Sequence, residues 1–113
     1  MNKFKFMHII CAILFSTLFA LPAFAGTGTG KVIWLRVSDN GFISFMTENY
    51  EDPPECARTL KTFSVKLTNE AGHAMLEMLL TAQAQDIDIT VLGYGNCKDQ
   101  SMHERTFYIK IER

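Results

Sequence analysis

Most signatures by which a sequence announces chemistry are missing from this one. It has no H-E-x-x-H helix, no C-x-x-C pair, no EF-hand spacing, and no serine or cysteine nucleophile set beside a base. No catalytic residue, metal ligand or cofactor is therefore expected. An excess of basic charge is also lacking: 11 Lys and Arg stand against 12 Asp and Glu, which argues against a polyphosphate partner such as nucleic acid. Long apolar runs are scarce too. The single one long enough to span a bilayer as a helix lies at the N-terminus.

That one run has the three parts of a secretory signal. Lys3 and Lys5 form a basic start, Ile9 to Leu21 form the apolar middle, Pro22 breaks it, and Ala23-Phe24-Ala25 supplies a small-x-small cleavage site. A membrane anchor is the alternative, because Phe6 to Phe24 approaches the roughly 20 residues a spanning helix needs. His8, Ser16, Thr17 and the cleavage site weigh against it. Residues 1–25 are thus expected to be removed, and residues 31–113 to form one exported domain, periplasmic or secreted. Loss of Lys3 and Lys5 takes the 11 basic residues to 9 against 12 acidic ones, a formal charge of −3.

Cysteine usage follows from export. Cys11 leaves with the signal, and Cys56 and Cys97 remain. In a small exported chain, two cysteines form a structural disulfide. It closes a loop of roughly 41 residues, worth about 4 kcal/mol by loop entropy. A core this small needs that help.

Periodicity organises the rest. Gly26 to Gly30 (GTGTG) is expected to be a flexible lead-in. Lys31 to Val37 reads as a strand with Ile33, Leu35 and Val37 on one face, and Ser38-Asp39-Asn40-Gly41 as a hairpin turn into a second strand, Phe42 to Glu48. Asn49 to Thr59, with Pro53 and Pro54, reads as a loop. Lys61 to Leu67 alternates, with Phe63, Val65 and Leu67 inward. The period then changes. After Asn69, an N-cap, Ala71, Ala74, Met75, Met78, Leu79 and Ala82 mark one helical face running to about Gln85. Asp86 to Leu92, with Ile87, Ile89 and Val91 inward, and Thr106 to Glu112, with Phe107, Ile109 and Ile111 inward, are the last two strands.

The order β-β-β-α-β-β is that of an OB-fold, a five-stranded Greek-key barrel with one helix. The disulfide agrees with it. In that barrel strand three is parallel to strand five and strand four antiparallel, so the start of three and the end of four share an end. Cys56 and Cys97 lie at those two places.

One stretch, TVLGYGNC at 90–97, is one leucine away from the TVGYG filter of potassium channels, yet no pore-forming span surrounds it. Nor does a helix follow its glycines, as a phosphate loop requires. Gly93, Gly95 and Asn96 are read instead as the turn that delivers Cys97.

Candidate functional residues are few. His73 with Glu77, and His103 with Glu104, are read as solvated polar residues rather than a metal or acid–base site, and Glu48, Glu51, Asp52 and Glu55 as a solvated loop rather than a calcium site. Trp34 and Tyr108 fall out of phase with the inward residues, and Tyr50 and Tyr94 fall in loops. Trp34, Tyr50 and Tyr94 are therefore the candidates for ligand contact, by stacking on a sugar. Trp34 is better suited to a subunit interface or a second small core. Leu76 and Leu80 widen the helix stripe, and either pack between copies of the chain or seat the helix more deeply in its own barrel.

A cysteine before strand three, the helix MLEMLLTAQA and the segment DIDITVLGYGNC, on a β-β-β-α-β-β chain with a signal and one disulfide, resemble the B subunits of pentameric A–B toxins, of the subtilase-cytotoxin and pertussis-like group. The resemblance implies an exported OB-fold, a homo-oligomeric ring of five with helices lining the central channel, and binding of cell-surface glycans. A small periplasmic structural or inhibitory protein that binds another protein is the alternative. In both readings the chain is not an enzyme, binds no nucleic acid and spans no membrane once the signal is removed.

Overall fold

The computed structural model describes residues 24–111. The expected signal lies outside the described residues except for Phe24 and Ala25, and so does the expected strand end at Glu112. Five strands, β1 (Thr27–Val37), β2 (Phe42–Glu51), β3 (Thr62–Lys66), β4 (Ile89–Gly93) and β5 (His103–Ile111), close into a barrel in the order β1-β2-β3-β5-β4. β3 and β5 run parallel, and the other four pairings are antiparallel. One helix, α1 (Glu70–Gln85), lies between β3 and β4 in sequence and touches β1, β3 and β5. A single 3-10 turn, Glu55–Ala57, precedes β3. No described helix is long and apolar enough to cross a membrane.

The helix begins where its cap places it. The Asn69 side chain accepts a hydrogen bond from the Gly72 N–H at 2.8 Å, satisfying one of the donors that the first turn leaves open. Asp86 closes the other end in the left-handed conformation, and its carboxylate meets the Lys31 ammonium at 2.9 Å, tying that end to β1. Leu79 and Ala82 enter the core with Ile43, Phe45, Phe63, Val65, Ile89 and Val91, and Met75, Leu76 and Met78 pack at its edge.

Three expectations need correction. GTGTG is not a flexible lead-in: Thr27–Gly30 opens β1 and pairs with β4, and its first three residues pair with β2 as well. The glycines are there for contact. A Cβ on Gly28 would sit 2.6 Å from the Phe63 ring and from Thr47 Oγ1. In β1 the register slips between Thr29 and Val32 and again between Val32 and Trp34, so Val32 takes the core position. Ile33 and Val37 are 59% and 54% exposed, and of the expected inward trio only Leu35 packs against the core. In β5, Gly93 faces Thr106 while Leu92 faces Tyr108, which leaves Phe107 unpaired and turned out at 50% exposure. Ile109 is buried and Ile111 packs at the core edge, as the alternation required.

Candidate binding surface

The β4–β5 connection is organised around one buried carboxylate. Glu104, on β5, is fully buried and accepts hydrogen bonds from the Gly26 N–H at 3.0 Å, the Gly95 N–H at 2.8 Å and the Tyr50 hydroxyl at 2.5 Å. Three donors compensate a charge that would otherwise be costly to bury. The two glycines of GYG make this approach feasible. A Cβ on Gly93 would stand 2.0 Å from Glu104 Oε2, and Gly95 has φ +79. The stretch read as a turn is thus also a carboxylate-binding loop, whose anion is supplied by the chain itself. Burial, and then the hydrogen bond to Glu104, push the Tyr50 phenol far above its ordinary range.

From this knot the loop reaches Cys97, bonded to Cys56 across a Cα–Cα distance of 6.2 Å. It then folds back over the outside of the barrel. Gln100 Oε1 accepts from Ser44 Oγ at 3.0 Å and Ser64 Oγ at 3.3 Å, and these two outward residues of β2 and β3 are buried as completely as their inward neighbours. Arg105 returns on β5 with its Nε 3.2 Å from Asp99 and its guanidinium 4.4 Å above the Tyr94 ring.

Beside the loop lies an exposed aromatic surface. The Tyr94 and Phe107 rings meet edge to face at 4.9 Å, and Tyr108 follows at 5.7 Å from Phe107. All three are exposed. Tyr94 and Phe107 wall one side of a groove of about 140 Å³. Lys66 and Asn69, where β3 hands over to α1, line it with Met75, and Asp99 and Arg105 add polar groups. Thr106 also lines it, its buried hydroxyl unpaired within the described chain.

The sequence candidates do not converge. Tyr94 is on this surface. Tyr50 is not a loop residue: it lies in β2, its ring stacks on Phe63 at 4.3 Å and its hydroxyl is held by Glu104, so it serves the interior. Trp34 is exposed on β1 beneath the Arg36 guanidinium at 5.3 Å, on a different strand of the barrel. Phe107, expected inside, is the residue that sequence reasoning missed. The signal for it was Gly93, since glycine within a strand marks a bulge. Of the two extra leucines on the helix, Leu76 packs against the core and Leu80 is 48% exposed.

His73 and Glu77 are exposed on α1. His103 and Glu104 are both buried but, as neighbours on a strand, face opposite ways. His103 Nδ1 donates to the Ser101 carbonyl at 2.8 Å. Glu48 accepts from the Lys31 N–H at 2.7 Å, and among the described residues no three His, Cys, Asp or Glu side chains gather where they could hold a metal.

No protein-family model, no curated protein and no solved structure matches this chain.

Proposed function

We propose that this chain is an exported, non-enzymatic binding module on an OB-fold, and that it recognises glycans through the surface around Tyr94, Phe107 and Tyr108. The observation that carries the reading is the contiguity of three exposed aromatic rings with a groove edged by Asn69, Asp99 and Arg105. A pyranose offers an apolar C–H face and a rim of hydroxyls. Exposed rings receive the first, and amide, carboxylate and guanidinium groups receive the second. The rings are also pre-set: Arg105 over Tyr94 and the edge-to-face contact with Phe107 limit the ordering that binding would require. Export is supported by the Cys56–Cys97 disulfide and by the signal-like composition of residues 1–25.

Stacking on one sugar is weak. A single module should bind at about millimolar strength, near −4 kcal/mol, and useful affinity would come from several modules on one surface. A glycan array probed with the protein displayed on streptavidin tests this without depending on natural assembly. Binding that disappears in Tyr94→Ala and Phe107→Ala, both folded by circular dichroism, is the expected result. Silence across the array at high multivalent concentration defeats the glycan reading and leaves the protein-partner one, for which the same aromatic surface is a suitable anchor.

A further inference from the structure

β1 is flanked on both sides over only part of its length. Thr27, Gly28 and Thr29 pair with β2 on one edge and, together with Gly30, with β4 on the other. Residues 34–37 pair with β2 in unbroken register, from Trp34 with Met46 to Val37 with Ile43, and no described strand occupies their second edge. An antiparallel strand directs alternate N–H and C=O groups to each side, so this edge carries ladder groups without a ladder. The stretch Ile33–Val37 has no proline and no lysine to blunt it, and Ile33 alone falls within the register slip that ends at Trp34. Four of its five residues, Ile33, Trp34, Arg36 and Val37, are exposed.

We infer that this edge binds a second copy of the same chain, β1 against β1, antiparallel about a two-fold axis at Leu35. The side chains select both the partner and the register. Centred on Leu35, the pairing sets Ile33 opposite Val37 of the second copy, Trp34 opposite Arg36, and Leu35 opposite Leu35. The two most exposed apolar residues of the strand cover each other, and each guanidinium, already stacked on the indole of its own chain, gains the indole of the other. Centred on Arg36, the pairing would oppose two like charges. Centred on Trp34, it would bring Val37 against Lys31, next to the Gly30–Ile89 pair where β4 already holds the edge. A contact of five residues a side is well below a standard interface, so the dimer is weak, with Kd on the order of 10⁻⁵ to 10⁻⁴ M. It is independent of what the aromatic groove binds.

Sedimentation of the purified protein, with its N-terminus as the producing cell leaves it, from about 1 to about 500 μM brackets that Kd. The mass should climb from monomer to dimer. Ile33→Lys with Val37→Lys puts like charges face to face and should weaken dimerisation at least about tenfold. The urea midpoint should be unchanged, because both positions are exposed. Ile33→Lys with Val37→Glu sets opposite charges face to face in the proposed register and should restore the dimer. If the lysine pair perturbs folding, Arg36→Glu at an exposed position is the second probe and should weaken dimerisation several-fold. A monomer at every concentration overturns the inference, and so does a dimer indifferent to these changes. A five-membered assembly also overturns it, and moves the contact to α1 at Leu80.

Discussion

The β1–β2 and β4–β5 connections, both between antiparallel strands, differ in how much holds them. The β1–β2 hairpin turns on Ser38, Asp39, Asn40 and Gly41 mainly through local bonds: Ser38 N–H to the Phe42 carbonyl, Gly41 N–H to the Ser38 carbonyl, and Phe42 N–H to the Asn40 side chain, with the Leu67 N–H reaching the Gly41 carbonyl from farther along. Beside it, Val37 is exposed. The β4–β5 connection is held from far along the chain. Glu104 gathers Gly26 and Tyr50, Cys97 is bonded to Cys56, and Gln100 clasps Ser44 and Ser64. Strands of similar composition enter both. A turn that only reverses the chain is served mostly by local hydrogen bonds, whereas a loop that presents a surface must be fixed at several distant points.

Removing the carboxylate should break this contrast most severely. Glu104→Ala leaves the buried Gly26 amide and the part-buried Gly95 amide and Tyr50 phenol without this acceptor, and should cost about 3 kcal/mol or more by urea denaturation. Val37→Ala, at the free end, should change stability by less than about 1 kcal/mol. Equal effects would mean that the knot does not hold the loop.

Opening the disulfide comes next. Cys56→Ser together with Cys97→Ser should lower stability by about 2–5 kcal/mol. The far-ultraviolet spectrum of the folded fraction should keep its barrel and helix signature, because the element order does not depend on the bond. Intact mass and alkylation of the unaltered protein should find no free thiol at either position.

Alkali sharpens the comparison with the smallest effect. Tyr50 holds its proton in the folded chain above the pH at which an unfolded phenol, near 10.0, releases it. The folded state then binds more protons than the unfolded one, so this contribution is intact below about pH 10 and falls as pH rises above it. The slope is about 1.4 kcal/mol per pH unit. Tyr50→Phe removes the titrating group, so its urea midpoint should decline less steeply between about pH 10 and 11. Parallel declines would place the phenol in water.

Much of the fold was legible along the chain. Asn69 and the 3.6-residue spacing after it announced α1 to within a residue at each end, because capping and amphipathicity are local. The alternation of Phe63 and Val65, and of Ile89 and Val91, marked inner faces for the same reason. The candidate surface was legible at Tyr94 and in the outward phase of Tyr108, but not at Phe107. Tyr50 looked like a loop residue because its partners, Phe63 and Glu104, are 13 and 54 positions away.

By itself, then, the sequence determined the element order, the helix and the hairpin turn, each set by neighbouring residues, and the Cys56–Cys97 pairing, these being the two cysteines of residues 26–113. Tertiary structure alone decided which way Ile33 and Phe107 point. Strand alternation can be read only while the ladder is regular, and a bulge arises between two strands rather than within one. It also decided that Ser44 and Ser64 are buried on the outer side of the barrel, since that depends on Gln100 arriving from a loop that has no period to betray it.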